Sequence, residues 1–310
     1  MDKKIIKQAD GDAGARFASA IIGIAACAQV SNATLNQESN KVDISLTFPS
    51  TFQEKKLLSI QAQIKTGQSY QTINHDKDTF TLKVDRETKN TFAAPGSPGI
   101  IVYVSSRPVE KIFWHSVDPR RPFKGKIKIN RMQFVRPSIR YDLTRLCLYS
   151  AFNNRLPRQT VSIIDDDKIL YNAKKSYNQL KTESFFNPLL GNVAVTRFAW
   201  RHVTRRSKTL KRVISTIKVT PYLKAFIDKH PTRYVCDKIT IKKRRRITYE
   251  TRYLLFWYAD ALMIAGRSNS LLLRMKEDIS YPSDWAKYGV SERDIKQKVT
   301  LASWWHKENK

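Results

Sequence analysis

KVDISLTF (Lys41 to Phe48) and LLSIQAQIKT (Leu57 to Thr66) are the stretches on which the reading of this chain turns. In the first, Val42, Ile44, Leu46 and Phe48 alternate with Lys41, Asp43, Ser45 and Thr47, the period of two that gives a strand one apolar and one polar face. In the second, Ile60, Ala62 and Ile64 share one side while Gln61, Gln63 and Lys65 share the other. A Pro-Ser turn follows the first strand, so the two are close enough in sequence to pair, with Asp43, Gln63 and Lys65 converging at one spot. Working outward, a helix is expected from about Asp12 to Val30 and a polar loop from Ser31 to Asn40. Downstream, a hairpin is expected at Thr79 to Val84. The apolar run GIIVYVSS (Gly99 to Ser106) suits a central strand, with KIFWHSV (Lys111 to Val117) as its neighbour. Together these predict an α/β domain over residues 1–118.

Charge divides the 310 residues at the same place. Lys and Arg number 56 against 27 Asp and Glu, a net charge of +29. Residues 1–118 hold 14 basic and 12 acidic side chains, whereas residues 119–310 hold 42 and 15. Such a surplus repels itself unless an anionic partner neutralises it. Residues 119–310 are therefore expected to form a strongly basic, mainly helical domain that holds a polyanion. Helices are expected over Val195 to Lys229, interrupted at Pro221, over the aromatic-rich Thr248 to Ala265, and after Ser291 and Asp294, which have capping-box spacing.

Two clusters carry the basic charge. Arg201, Arg205, Lys208 and Arg212 fall at i, i+4, i+7 and i+11, one stripe if the segment is a single helix, with Arg206 and Lys211 beside them. Lys242, Lys243, Arg244, Arg245 and Arg246 are consecutive. Phosphates spaced along a nucleic acid would neutralise both, in a grip independent of base sequence and strongly dependent on salt. Nothing resembles a zinc finger, an RNA-recognition signature or a GXXG loop. An anionic membrane surface is the next anion to consider, and an acidic protein partner a further one. The stripe lacks an opposing apolar face, so a membrane surface is disfavoured.

Cys27, Cys147 and Cys236 are far apart and form no C-x-x-C pair, which excludes a readable disulfide framework and fits a reducing cytoplasm. The five histidines show no metal-binding spacing. Lys3, Lys4 and Lys7 before the apolar run Ala18 to Ala28 imitate an export signal, but Asp10, Asp12 and Arg16 indicate a buried or amphipathic helix instead. The apolar stretch Tyr253 to Ala265 contains Asp260 and is too short to span a bilayer.

The polar-face residues suit phosphodiester hydrolysis. Asp43 would anchor Mg²⁺ or Mn²⁺, with the Gln63 amide oxygen and the main-chain carbonyl of Ile64 as neutral oxygen ligands. Lys65 would orient the attacking water or balance charge on the phosphate. The D-x(19)-Q-x-K pattern on consecutive strands resembles the PD-(D/E)XK, or restriction-endonuclease-like, nuclease superfamily, in the variant with glutamine at the second motif position seen in modification-dependent restriction enzymes of the Mrr type. GARF (Gly14 to Phe17), VDI (Val42 to Ile44), QIKTGQSY (Gln63 to Tyr70), GIIVYV (Gly99 to Val104) and EKIFWHSV (Glu110 to Val117) are similar to an uncharacterised bacterial family within it. The resemblance covers about residues 10 to 118. It implies a restriction-endonuclease-like fold, a magnesium-dependent nuclease favouring DNA, and a setting in anti-phage defence or a mobile element, where a protein partner or a homodimer would be in keeping. Glu38, or alternatively Asp12, is the candidate extra acid, because Ala15 and Arg16 stand where relatives place a helix glutamate. The alternative is a subunit that kept the fold, lost the full metal site, and binds nucleic acid or assembles with a partner.

Overall fold

The computed structural model of the chain describes residues 3–34, 41–73, 79–92, 98–105, 111–117, 125–151, 160–163, 168–205 and 209–309. Two compact units form, Met1–Phe152 with Tyr281–Ile295, and Asn153–Ser280 with Lys296–Lys310.

In the first unit, helix α1 (Lys3–Ala26) is followed by β1 (Gln29–Asn32), β2 (Ile44–Pro49) and β3 (Leu57–Thr66). These strands form an antiparallel meander, with Ile44 opposite Ala62 and Pro49 opposite Leu57. The connection onward carries β4 (Gln71–Ile73), β5 (Thr79–Lys83) and helix α2 (Arg86–Phe92) before β6 (Gly99–Val104), which lies parallel to β3, and β7 (Ile112–Val117), which lies antiparallel to β6. The sheet order is β1-β2-β3-β6-β7. β8 (Lys126–Asn130) joins β4 and β5 in a second, three-stranded sheet, and helix α3 (Ile139–Ala151) follows.

Each face of the larger sheet is covered, which explains why every residue of β6 is buried and its sequence is an unbroken apolar run. On one face lies α1, whose Ala18, Ile22, Ala25 and Ala26 are buried at helical spacing. On the other, Phe80, Leu82, Val84, Ile127, Ile129 and Phe92 pack against Ile101, Tyr103, Phe113 and Val117. This second layer fixes α2, because a Cβ on Gly99 would lie 2.0 Å from the Phe92 ring, and only a hydrogen fits there. The division expected at 118 falls inside this unit. β8 pairs with β5 and α3 packs on β3 and α1, so the core extends to about residue 152.

The second unit corrects the expected helical domain: it is built on a seven-stranded sheet. β9 (Val161–Ile163), α4 (Ile169–Leu180), β10 (Phe185–Asn187) and β11 (Gly191–Ala194) precede helices α5 (Arg197–Val203), α6 (Leu210–Val219) and α7 (Lys224–Ile227). Then come four long strands, β12 (Arg233–Arg244), β13 (Ile247–Ile264), β14 (Arg267–Pro282) and β15 (Lys296–Glu308), in the order β10-β11-β15-β14-β13-β12 with β9 on β13.

The segment Thr248 to Ala265 was expected to be a helix because its aromatic residues could form a core. Its period is two: Glu250, Arg252, Leu254, Phe256 and Tyr258 are buried, alternating with Thr251, Tyr253, Leu255 and Trp257. Aromatic side chains fit a pleated surface better than the crowded turns of a helix. The C-terminal helix is also replaced. Ser291 and Asp294 do form a capping box, but it closes one 3-10 turn (Glu292–Asp294), after which Lys296–Glu308 is strand. Pro221 sits in the 3-10 turn after α6, as expected of a residue that ends a helix.

Candidate active site

Asp43 sits immediately before β2 and is held through its backbone on both sides. Its N–H donates to the Ala62 carbonyl at 3.0 Å, and its carbonyl accepts from Ala33 N at 3.0 Å. Regular pairing of β2 with β3 ends at Ile44–Ala62. Beyond that point the Asp43 side chain occupies the side of β3 that a strand would have covered, and its Oδ2 accepts the Ile64 N–H at 2.5 Å. In an extended strand the N–H and C=O of one residue project to the same side, so the Ile64 carbonyl projects to the edge of β3 on which Asp43 lies. Asp43, Ile44 and Ile64 line a cavity of about 530 Å³ against α1, to which Arg16 and Ser19 also contribute.

Gln63 and Lys65 point to the opposite face, as the pleat requires. Gln63 is 3% exposed, and its Oε1 accepts from the Thr88 hydroxyl at 2.7 Å. The same hydroxyl is 2.6 Å from Asp85 Oδ1, so its single proton serves one acceptor at a time. Asp85 is the N-cap of α2, since Oδ1 also accepts the Thr88 N–H at 2.7 Å, three residues on. Its second oxygen, Oδ2, meets Lys65 Nζ at 3.3 Å, and that ammonium lies 5.2 Å from the centre of the Tyr70 ring. Burial would raise the Asp85 carboxyl. The two Thr88 hydrogen bonds and the Lys65 charge outweigh it and hold the group below its ordinary value.

The expected convergence of Asp43, Gln63 and Lys65 does not form: Asp43 lies on the α1 side of β3, whereas Gln63 and Lys65 lie on the other face, because alternate residues of a strand point to opposite faces, and the Gln63 amide oxygen is turned to Thr88 and away from the place of a metal held by Asp43. Asp43 contacts the main chain at Ile64, whereas Gln63 and Lys65 are tied to the start of α2. Asp85 and Thr88 were missed in the sequence. The signal was the D-x-x-T of Asp85 to Thr88 directly after the alternation of β5, a spacing that places a capping carboxylate at a helix start. Glu38 lies outside the described residues.

The basic clusters are arranged differently from the stripe expected. Arg201 is exposed on α5 and Arg205 is exposed beyond its end, while Lys211 and Arg212 belong to α6. One helix does not carry all four stripe positions, and Arg206 and Lys208 lie outside the described residues. Lys242, Lys243, Arg244, Arg245 and Arg246 are all exposed at the tip of the β12–β13 hairpin. Arg244 pairs with Ile247 across a two-residue loop in which Arg245 adopts φ 54°.

Among the described residues no three His, Cys, Asp or Glu side chains stand together as a metal-binding group. Magnesium does not need three. It commonly takes one or two carboxylates and fills its remaining positions with water and substrate phosphate. Asp43 and the Ile64 carbonyl are hard oxygens on one edge of β3, and both residues line the cavity, so they are the groups that could hold such an ion. Also among the described residues, no helix is long and apolar enough to cross a membrane. Comparison with family models, curated proteins and solved structures finds no match.

Proposed function

We propose that this chain is a metal-dependent nuclease whose first unit hydrolyses phosphodiester bonds and whose second unit grips the nucleic acid, DNA in preference. The observation that carries the reading is the Asp43 carboxylate placed against Ile64 at the point where β2 leaves β3, within the D…Q-x-K pattern. Asp43 and the Ile64 carbonyl would hold Mg²⁺ or Mn²⁺, and the bound ion would polarise the phosphoryl oxygen and lower the pKa of the attacking water.

The chain's own residues do the positioning. Asp43 is pinned by two backbone hydrogen bonds and one side-chain hydrogen bond, so little conformational freedom is lost when a phosphate arrives. Lys65, on the other face of β3 from Asp43, would act by tying β3 to the start of α2 through Asp85 and by adding positive charge near the site, without contact to the metal-bound phosphate. Gln63, fastened to Thr88, locks β3 to α2 so that Ile64 between them is fixed. The hairpin cations Lys242 to Arg246 bind the backbone of the substrate. A place in defence or a mobile element rests on the sequence resemblance alone.

A second reading has its own support. Asp43 is engaged by the Ile64 N–H and the Gln63 oxygen by Thr88, so both polar groups have structural employment in a protein that only binds. Incubation with plasmid, single-stranded DNA and RNA in Mg²⁺ or Mn²⁺ separates the two. Divalent-dependent cutting that EDTA abolishes is the expected result. Salt-sensitive binding without cutting would replace the nuclease by the binding subunit.

A further inference from the structure

In the second unit, α4 and α5 bound a cavity of about 200 Å³ lined by Lys174, Lys181, Arg197, Arg201, Tyr177 and Trp200. Helical spacing puts these residues on facing sides. Lys174, Tyr177 and Lys181 are separated by three and four residues, as are Arg197, Trp200 and Arg201 by three and one. Four cations thus line a small space to which no carboxylate contributes. None of the four forms an ion pair among the described residues, although acids elsewhere in this unit do pair, as Glu183 does with Lys224 at 2.8 Å. Like charges gathered around one cavity repel one another, and an anion entering it would relieve that repulsion.

The floor of the cavity is rigid and aromatic. Trp200 lies against Tyr177 with ring centres 5.0 Å apart, and Tyr177 in turn stacks on Trp304 at 5.5 Å. The Tyr177 hydroxyl donates to the Thr196 carbonyl at 2.6 Å, which fixes the ring. Trp200 itself is only half-buried, so part of its surface remains available. An indole beside four cations is the combination that receives a planar base together with its phosphate.

We propose that this groove is a subsite for one nucleotide of a nucleic-acid strand, the cations taking its phosphates and Trp200 stacking on its base. The proposal rests on the reading that the protein acts on nucleic acid, and adds where the second unit holds the strand. Size favours a strand over a free ligand. A space of about 200 Å³ is smaller than the roughly 300–1,000 Å³ that encloses a whole small molecule, and suits a fragment of a longer chain.

The test uses the full chain in EDTA, with fluorescence anisotropy of a labelled 20-nucleotide single strand as the readout. Arg197→Gln with Arg201→Gln should weaken binding at least about tenfold and reduce the salt slope by about 1.4, the share of two phosphates on a single strand. Trp200→Ala should weaken binding roughly tenfold, while Trp200→Phe, which keeps a stacking surface and the contact with Tyr177, should retain most of it. Unchanged affinity and slope in the double variant, with wild type binding well, would overturn the groove and leave the nucleic-acid reading standing. Failure of the wild type to bind any oligonucleotide at low salt would remove both. Complete displacement of the strand by micromolar AMP or inorganic phosphate would make this a site for a free anion and overturn the strand assignment.

Discussion

Lys65 of β3 meets Asp85, the capping residue of α2, with Nζ 3.3 Å from Oδ2, so one carboxylate both starts a helix and restrains the ammonium of the D…Q-x-K pattern. Lys65 is 12% exposed at this contact and Asp85 44%, which makes the pair worth little as a stabilising interaction. Its consequence is geometric: the direction of the Lys65 side chain depends on where α2 begins.

Asp85→Asn separates these roles. Asparagine still caps the Thr88 N–H, so the unfolding midpoint should move by less than about 1 kcal/mol in stability. The charge on which Lys65 rests is lost, and cutting should fall about tenfold or more while nucleic-acid affinity in EDTA is unchanged. Thr88→Val acts on stability instead. It strips a buried partner from Gln63 and should cost about 1–3 kcal/mol, measured by urea unfolding.

Gly99→Ala tests whether the packing under α2 sets the site. The new methyl would stand 2.0 Å from the Phe92 ring, which is fully buried, so the helix end must shift. A loss of about 1–3 kcal/mol is expected. Adding Phe92→Leu should recover part of it, because a smaller side chain vacates the space the methyl needs.

Much of the first unit was legible in advance. The alternation of Leu57 to Thr66 gave the limits of β3, and the unbroken apolar run at Gly99 to Val104 marked a strand covered on both faces. The partner of Lys65 was not legible, because Asp85 comes 20 residues later and meets β3 only in the folded chain, where Phe92 packs on Gly99 and Thr88 bonds Gln63. In the second unit, the aromatic richness of Tyr249 to Tyr258 masks the alternation of the same residues. The buried Glu250 and Arg252, which look like surface residues in a sequence, hid the inward face of β13.

Those two residues carry a prediction. Arg252 Nε donates to Glu250, and its NH1 lies 3.9 Å from Glu277, with both carboxylates fully buried. Arg252→Met would remove this cation from beside two buried acids and should cost about 3–5 kcal/mol, read by chemical unfolding at neutral pH.

His230 makes stability depend on pH. Burial pushes its imidazole down to about 4 from the ordinary 6.5, so the folded chain holds it neutral. Between those values the unfolded chain binds the additional proton, and stability therefore rises with pH across this window and is lost as pH falls from about 6.5 toward 4. His230→Gln should flatten the unfolding midpoint over that range. Asp85, held below its ordinary value, contributes in the same sense at lower pH: its share is present above about 3.8 and disappears only in more acid solution.

The most direct measurement is cleavage of plasmid and single-stranded DNA in Mg²⁺ and Mn²⁺ by wild type, Asp43→Asn and Lys65→Ala, with binding in EDTA recorded on the same samples. Asparagine at 43 can still accept the Ile64 N–H, so the fold and the grip should survive while cutting falls by several orders of magnitude. Loss of cutting in both variants, with binding retained, is the result expected here. Cutting that persists in both would contradict the assignment of this site.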